Sequence, residues 1–145
     1  MLIGRFGDTT GRPYIEGHLS IPSLQIDASV SFLIDTGSDC CVLMQLDAAR
    51  LGVDHTQLSD RVESTGIGGI SRDFVVPAAI LFAEQGTKVY GYNVLLRIAD
   101  PRPELKTTPS LLGRDVINHW RLIYDPSGGR LHADVISCDR EYPIS

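Results

Sequence analysis

Apolar and polar residues alternate with the period of a strand along much of this chain. Val30, Phe32 and Ile34 interleave with Ser31, Leu33 and Asp35, the two-residue repeat of a strand with one buried face. The run from Leu24 to Ile34 is preceded by a second one, Tyr14 to Ile21, with Pro22-Ser23 as the turn between them. Further on, Val62 to Phe74 flanks the glycine-rich Gly66-Ile67-Gly68-Gly69, which predicts a hairpin with a pliable tip. Val75 to Ala83 and Lys88 to Ile98 flank Glu84-Gln85-Gly86-Thr87, a second hairpin. Ser110 to Gly113 reads as a short buried strand. Arg121 to Tyr124 and Arg130 to Val135 form a last hairpin through Asp125-Pro126-Ser127-Gly128-Gly129. Helical patterning is confined to Gln45–Leu51, stopped by Gly52, and to one or two turns after Arg114. Asp100 to Pro109, with three prolines, reads as a surface loop. The first dozen residues and the last seven carry no such pattern and are expected to be loosely held.

The pattern predicts an all-β, closed, barrel-like domain with one or two short helices. With 145 residues, of which 43% are hydrophobic, one domain with its own core spans 1–145, the core covering about 14–136. The formal net charge is −5, which supplies no electrostatic attraction to nucleic acid or to an anionic membrane. No run approaches the ~18 apolar residues of a membrane span, and none at the start suits a signal peptide. The expected location is therefore cytoplasmic. Cys40, Cys41 and Cys138 are odd in number and two are adjacent, so free thiols in a reducing compartment are expected. A redox-sensitive thiol near residue 40 is the lesser alternative. His18, His55, His119 and His132 lack metal-ligand spacing, and neither a metal nor another cofactor is expected. Trp120 reads as a core aromatic.

Chemistry concentrates at the end of the strand running to Ile34. The strand delivers Asp35 onto a loop made by Thr36-Gly37-Ser38. A carboxylate there is costly unless paired or functional; the bland reading is a turn aspartate accepting backbone hydrogen bonds. Three segments together resemble the retropepsins, the retroviral-type aspartic proteases. Phe32-Leu33-Ile34-Asp35-Thr36-Gly37-Ser38-Asp39 is similar to their catalytic loop, and Gly66-Ile67-Gly68-Gly69-Ile70 to their flap. Leu111-Leu112-Gly113-Arg114-Asp115 is similar to the segment threading behind that loop.

The resemblance implies peptide-bond hydrolysis by two carboxylates that share one proton. Asp-Thr-Gly occurs once; Asp8-Thr9-Thr10-Gly11 is a near miss with no buried strand before it. The second carboxylate must then come from another copy, making a homodimer with an isologous interface. By resemblance, Asp35, Thr36 and Gly37 are the catalytic residues, with Thr36 bonding across the axis. Ser38, Asp39, Gly66, Ile67, Gly68, Gly69 and Leu111 would contact a polypeptide substrate, and Ser38 can donate to the carboxylate. Arg114 would support the loop by pairing with Asp39 in a partly buried place. Leu33, Val42, Ile67, Ile70 and Leu111 would line apolar subsites. Cys40 and Cys41 depart from the polar and small residues usual after the catalytic loop. The tail after His119 is longer than in retroviral enzymes. Two alternatives remain: a protease-like peptide-binding module without turnover, and a thiol protein using Cys40-Cys41.

Overall fold

The computed structural model describes residues 1–66 and 69–143, apart from the side chains of residues 64–66, 69 and 71. Among the described residues, twelve strands and two short α-helices follow in order. They are β1 (Leu2–Ile3), β2 (Arg5–Phe6), β3 (Pro13–Ile21), β4 (Ile26–Ile34), β5 (Val42–Leu43), α1 (Gln45–Leu51), β6 (Arg61–Gly66) and β7 (Gly69–Glu84), then β8 (Lys88–Ile98), β9 (Leu111–Leu112), α2 (Arg114–Ile117), β10 (Trp120–Asp125), β11 (Arg130–Val135) and β12 (Arg140–Pro143).

Six of these strands close on themselves. β8 pairs with β5, β5 with β9, β9 with β4, β4 with β3, β3 with β7, and β7 returns to β8. Closure abolishes exposed edges. It also gives each alternating strand an inside. Val30, Phe32 and Ile34 of β4, Ile15 and Leu19 of β3, and Tyr92, Leu96 and Ile98 of β8 are all buried in one cluster. Trp120 is buried with them, its indole N–H donating to Tyr92 Oη at 2.8 Å. Gly52 ends α1 at φ 76°, the left-handed conformation that favours glycine at a helix stop.

The mostly β architecture, the closed barrel and the two short helices agree with the sequence pattern; three local features differ. The chain ends are held. Leu2 is buried, β1 pairs with β11, β2 with β3, and β12 with the start of β8. Segments of two to four residues are too short to show a period, so pairing decides them. Residues Pro22–Leu24 form a 3-10 turn, and Gln25 at φ 55° turns the chain into β4. The two strands expected on either side of position 75 are one 16-residue strand, β7, continuous through Pro77. The hairpin β6–β7 pairs from Arg61↔Phe74 out to Gly66↔Gly69. The expected flap tip residues Ile67 and Gly68 lie outside the described residues. Among those described, no helix is long and apolar enough to cross a membrane.

Candidate active site

Asp35 follows β4, which runs parallel to β9, and the two strands are laced at that end. Leu33 N–H donates to Ser110 C=O at 2.8 Å, and Asp35 N–H to Leu112 C=O at 3.0 Å. Two parallel strands cannot be joined by a tight turn. The chain therefore reaches β9 only after the whole excursion through β8, and the site is assembled from residues about 75 positions apart.

Within the loop, Gly37 N–H donates to Asp35 Oδ1 at 2.9 Å, and Ser38 N–H to Asp35 C=O at 3.1 Å. The first contact orients the carboxylate. The Ser38 hydroxyl is engaged elsewhere: it donates to Cys40 C=O at 2.7 Å. The expectation that it donates to the Asp35 carboxylate is corrected in this chain. The turn presents a nearer carbonyl, and the hydroxyl takes it.

Residues 113–115 clamp the other side of the loop. Arg114 N–H donates to Ser38 C=O at 2.9 Å and Arg114 Nη1 to Thr36 C=O at 2.7 Å, while Nη2 pairs with Asp39. The Asp39–Arg114 pair is thus formed as the resemblance implied. It is not partly buried, however, since the Asp39 side chain is 85% exposed in the single chain. We therefore expect Arg114→Ala to cost about 1 kcal/mol of stability, mostly from the lost Thr36 contact. Thermal melting of the dilute protein checks this; an effect of several kcal/mol would mean that the pair is shielded.

Two contributions were not legible as such. Gly113 lies so close to the loop that a Cβ on it would sit 2.3 Å from the carbonyl carbon of Cys40. Asp115 reaches back under the loop, accepting from Cys41 N–H and from the Cys41 thiol, each at 3.1 Å. Gly113 N–H in turn donates to Cys41 Sγ at 3.4 Å. Burial, with Asp115 beside it, pushes the Cys41 thiol well above its ordinary range, so this cysteine is a structural donor and not a thiolate. Burial pushes Cys40 up as well, against the opposing pull of Arg97. The only signal for either role was the position of Gly113 and Asp115 around Arg114.

A cleft of about 590 Å³ opens at Asp35, lined on its floor by Val42, Met44 and Leu111 and at its rim by Gly37, Ser38 and Asp39. Thr36 is exposed and does not line the cleft. Leu33 is half-buried beside Leu111 in the sheet, and Ile70 is largely exposed on β7. Among the described residues no cluster of His, Cys, Asp or Glu has the makings of a metal site.

No protein-family model matches this sequence, and no curated protein matches it either. Solved structures do. A retropepsin-like aspartic protease from Rickettsia conorii superposes over 99% of this chain and 92% of its own, with a TM-score of 0.54 at 17% identity. The chain has the retropepsin-like fold. EIAV protease in complex with the inhibitor HBY-793 aligns at 21% identity over 77% of this chain and 90% of its own, with a TM-score of 0.48. In this chain the three segments singled out by sequence fall at the end of β4, at the β6–β7 hairpin, and at β9–α2. The first and third meet; the middle of the second lies outside the described residues.

Proposed function

We propose that this chain is an aspartic-type endopeptidase whose active site is completed by a second identical chain. The observation that carries the reading is Asp35 itself. It stands at the end of a barrel strand, its carboxylate is oriented by Gly37 N–H, and it opens onto a cleft floored by Val42 and Leu111. A turn aspartate needs neither the cleft nor the clamp of residues 113–115.

One carboxylate cannot serve as base and acid in the same step. Two Asp35 groups across a two-fold axis can, because like charges that close cannot both ionise and the pair keeps one proton. The ionised member takes a proton from water as its oxygen attacks the peptide carbonyl carbon. The protonated member gives its proton to the carbonyl oxygen. Collapse of the tetrahedral species breaks the C–N bond and returns a proton to the leaving nitrogen. Thr36, exposed in this chain, would meet the partner loop. Asp39 and Ser38 border the bound polypeptide, which lies extended like an added strand. The β6–β7 hairpin, paired out to Gly66 and Gly69, closes over it as a flap, and Ile67 and Gly68, which join those two in sequence, would contact the substrate with them. No cofactor enters the scheme.

Cleavage of an unbiased peptide library, repeated at falling chain concentration, tests this. Specific activity is expected to fall on dilution as dimers dissociate. Activity independent of concentration would contradict the two-chain site, and binding without cleavage at any pH would mark a peptide-binding module.

A further inference from the structure

Leu111, Val42 and Arg97 stand in one row across adjacent strands. Val42 pairs with Leu111 of β9 on one side and with Arg97 of β8 on the other. Their chain neighbours Leu112, Leu43 and Ile98 are buried inside the barrel, so by the alternation of a strand the row itself faces the cleft. Adjacent strands lie about 4.8 Å apart, which puts the Arg97 backbone roughly 10 Å from that of Leu111. The floor is thus apolar beside Asp35 and carries Arg97 two strands further on, in a cleft that Asp73 also lines. A second guanidinium, Arg102, lines the same cleft from the loop after β8. Its backbone is fixed by donation from its N–H to Gln45 Oε1 at 2.6 Å.

The charges around this cleft are unequally matched. Asp39 is paired with Arg114, and Glu63 lies 3.8 Å from Arg72. Asp73 is buried in the wall and shares the cleft with the opposite charge of Arg97. Arg102 is loosely matched. The carboxylate of Glu104 is 3.8 Å away, beyond hydrogen-bond reach, and is 64% exposed. Its Nε is buried and has no hydrogen-bond partner among the described residues. An unsatisfied buried donor on a charged fork is costly, and a carboxylate relieves it best, because its two oxygens match the two parallel N–H groups.

We infer that Arg102 is a specificity-determining residue that selects polypeptides carrying an aspartate or glutamate side chain near an apolar segment. This rests on the peptide-cleaving reading above. The apolar residues lie over Val42 and Leu111, and the acidic side chain reaches Arg102. Because Nε is buried in the free chain, the half-exposed Arg102 side chain must turn to present that edge as the carboxylate binds.

The test uses extended peptides with a central apolar pair and with Glu, Gln or Lys placed in turn at each flanking position. Two readouts run in parallel: cleavage by the wild-type protein, and binding to the Asp35→Asn protein. Glu is expected to exceed Gln by about tenfold at one position, the size of a charge-assisted hydrogen bond in affinity. Arg102→Gln should remove that preference, and Arg102→Glu should turn it toward Lys at the same position only. Both variants alter an exposed loop, and their melting temperatures verify folding. Equal use of Glu and Gln at every position, or a preference that survives both substitutions, would overturn the inference. Cleavage without any charge preference removes this inference and leaves the protease reading intact. An Arg102-dependent preference in binding, without cleavage by the wild type, keeps the acid-selective cleft and removes the protease. Failure to bind any peptide overturns both.

Discussion

Asp35→Asn is expected to abolish peptide hydrolysis, with a loss on the order of 10⁴-fold, while leaving the melting temperature essentially unchanged. The two side chains have the same shape. The amide oxygen still accepts from Gly37 N–H, and the backbone N–H still donates to Leu112 C=O. What disappears is the base. In a two-chain site the substitution acts twice, so neither a proton acceptor nor a titrating donor remains. Steady-state cleavage and thermal melting of the same preparation check the two halves of the expectation. Near-wild-type turnover by this variant would end the aspartic protease reading.

Gly113→Ala is expected to be the most damaging single methyl group in the chain. A Cβ at Gly113 would lie 2.3 Å from the Cys40 carbonyl carbon, 2.4 Å from its oxygen and 2.7 Å from its Cα. All three are backbone atoms, so no side-chain rotation relieves the clash. The backbone of Gly113 is ordinary extended chain, and the constraint is space alone. Relief requires the loop from Asp35 to Cys41 to move away from β9 and α2. That move breaks the Arg114 contacts to Ser38 and Thr36 and the Asp115 contacts to Cys41. We expect a cost of about 3 kcal/mol or more, a fall in melting temperature on the order of 10 °C, and activity lost with it. Melting curves of the variant decide it. Wild-type stability would mean that the loop has slack at Cys40.

The strand ending at Asp35 could be read from the sequence because its buried face is written in three alternating residues, Val30, Phe32 and Ile34, and all three fill the barrel. Other features depend on pairing and leave no local trace. β1 and β2 are two residues long, and Leu2 is buried only because β11 runs beside it. The sequence pattern separated two strands between Phe74 and Val75 in what is one strand, and that strand contains Pro77. It is tolerated because pairing of β7 with β6 ends at Phe74 and pairing with β3 begins at Ala79, so no partner there needs its N–H.

At the site, the Asp39–Arg114 pair followed from the motif, whereas its exposure did not, since burial depends on what surrounds the loop. Ser38 was misdirected for a similar reason. Two acceptors compete for one hydroxyl, and only the turn geometry favours Cys40 C=O over the carboxylate. The roles of Gly113 and Asp115 are set by residues 73 and 74 positions earlier in the chain, a distance no local pattern spans.

The pairing of two Asp35 carboxylates is tested most directly by mixing. Wild-type and Asp35→Asn chains are combined at fixed total concentration, allowed to exchange, and assayed as the wild-type fraction is varied. If each site needs an intact Asp35 from both chains, activity follows the square of that fraction, and an equal mixture retains about a quarter of the wild-type rate. Activity proportional to the wild-type fraction, with about half retained in the equal mixture, would contradict a shared site.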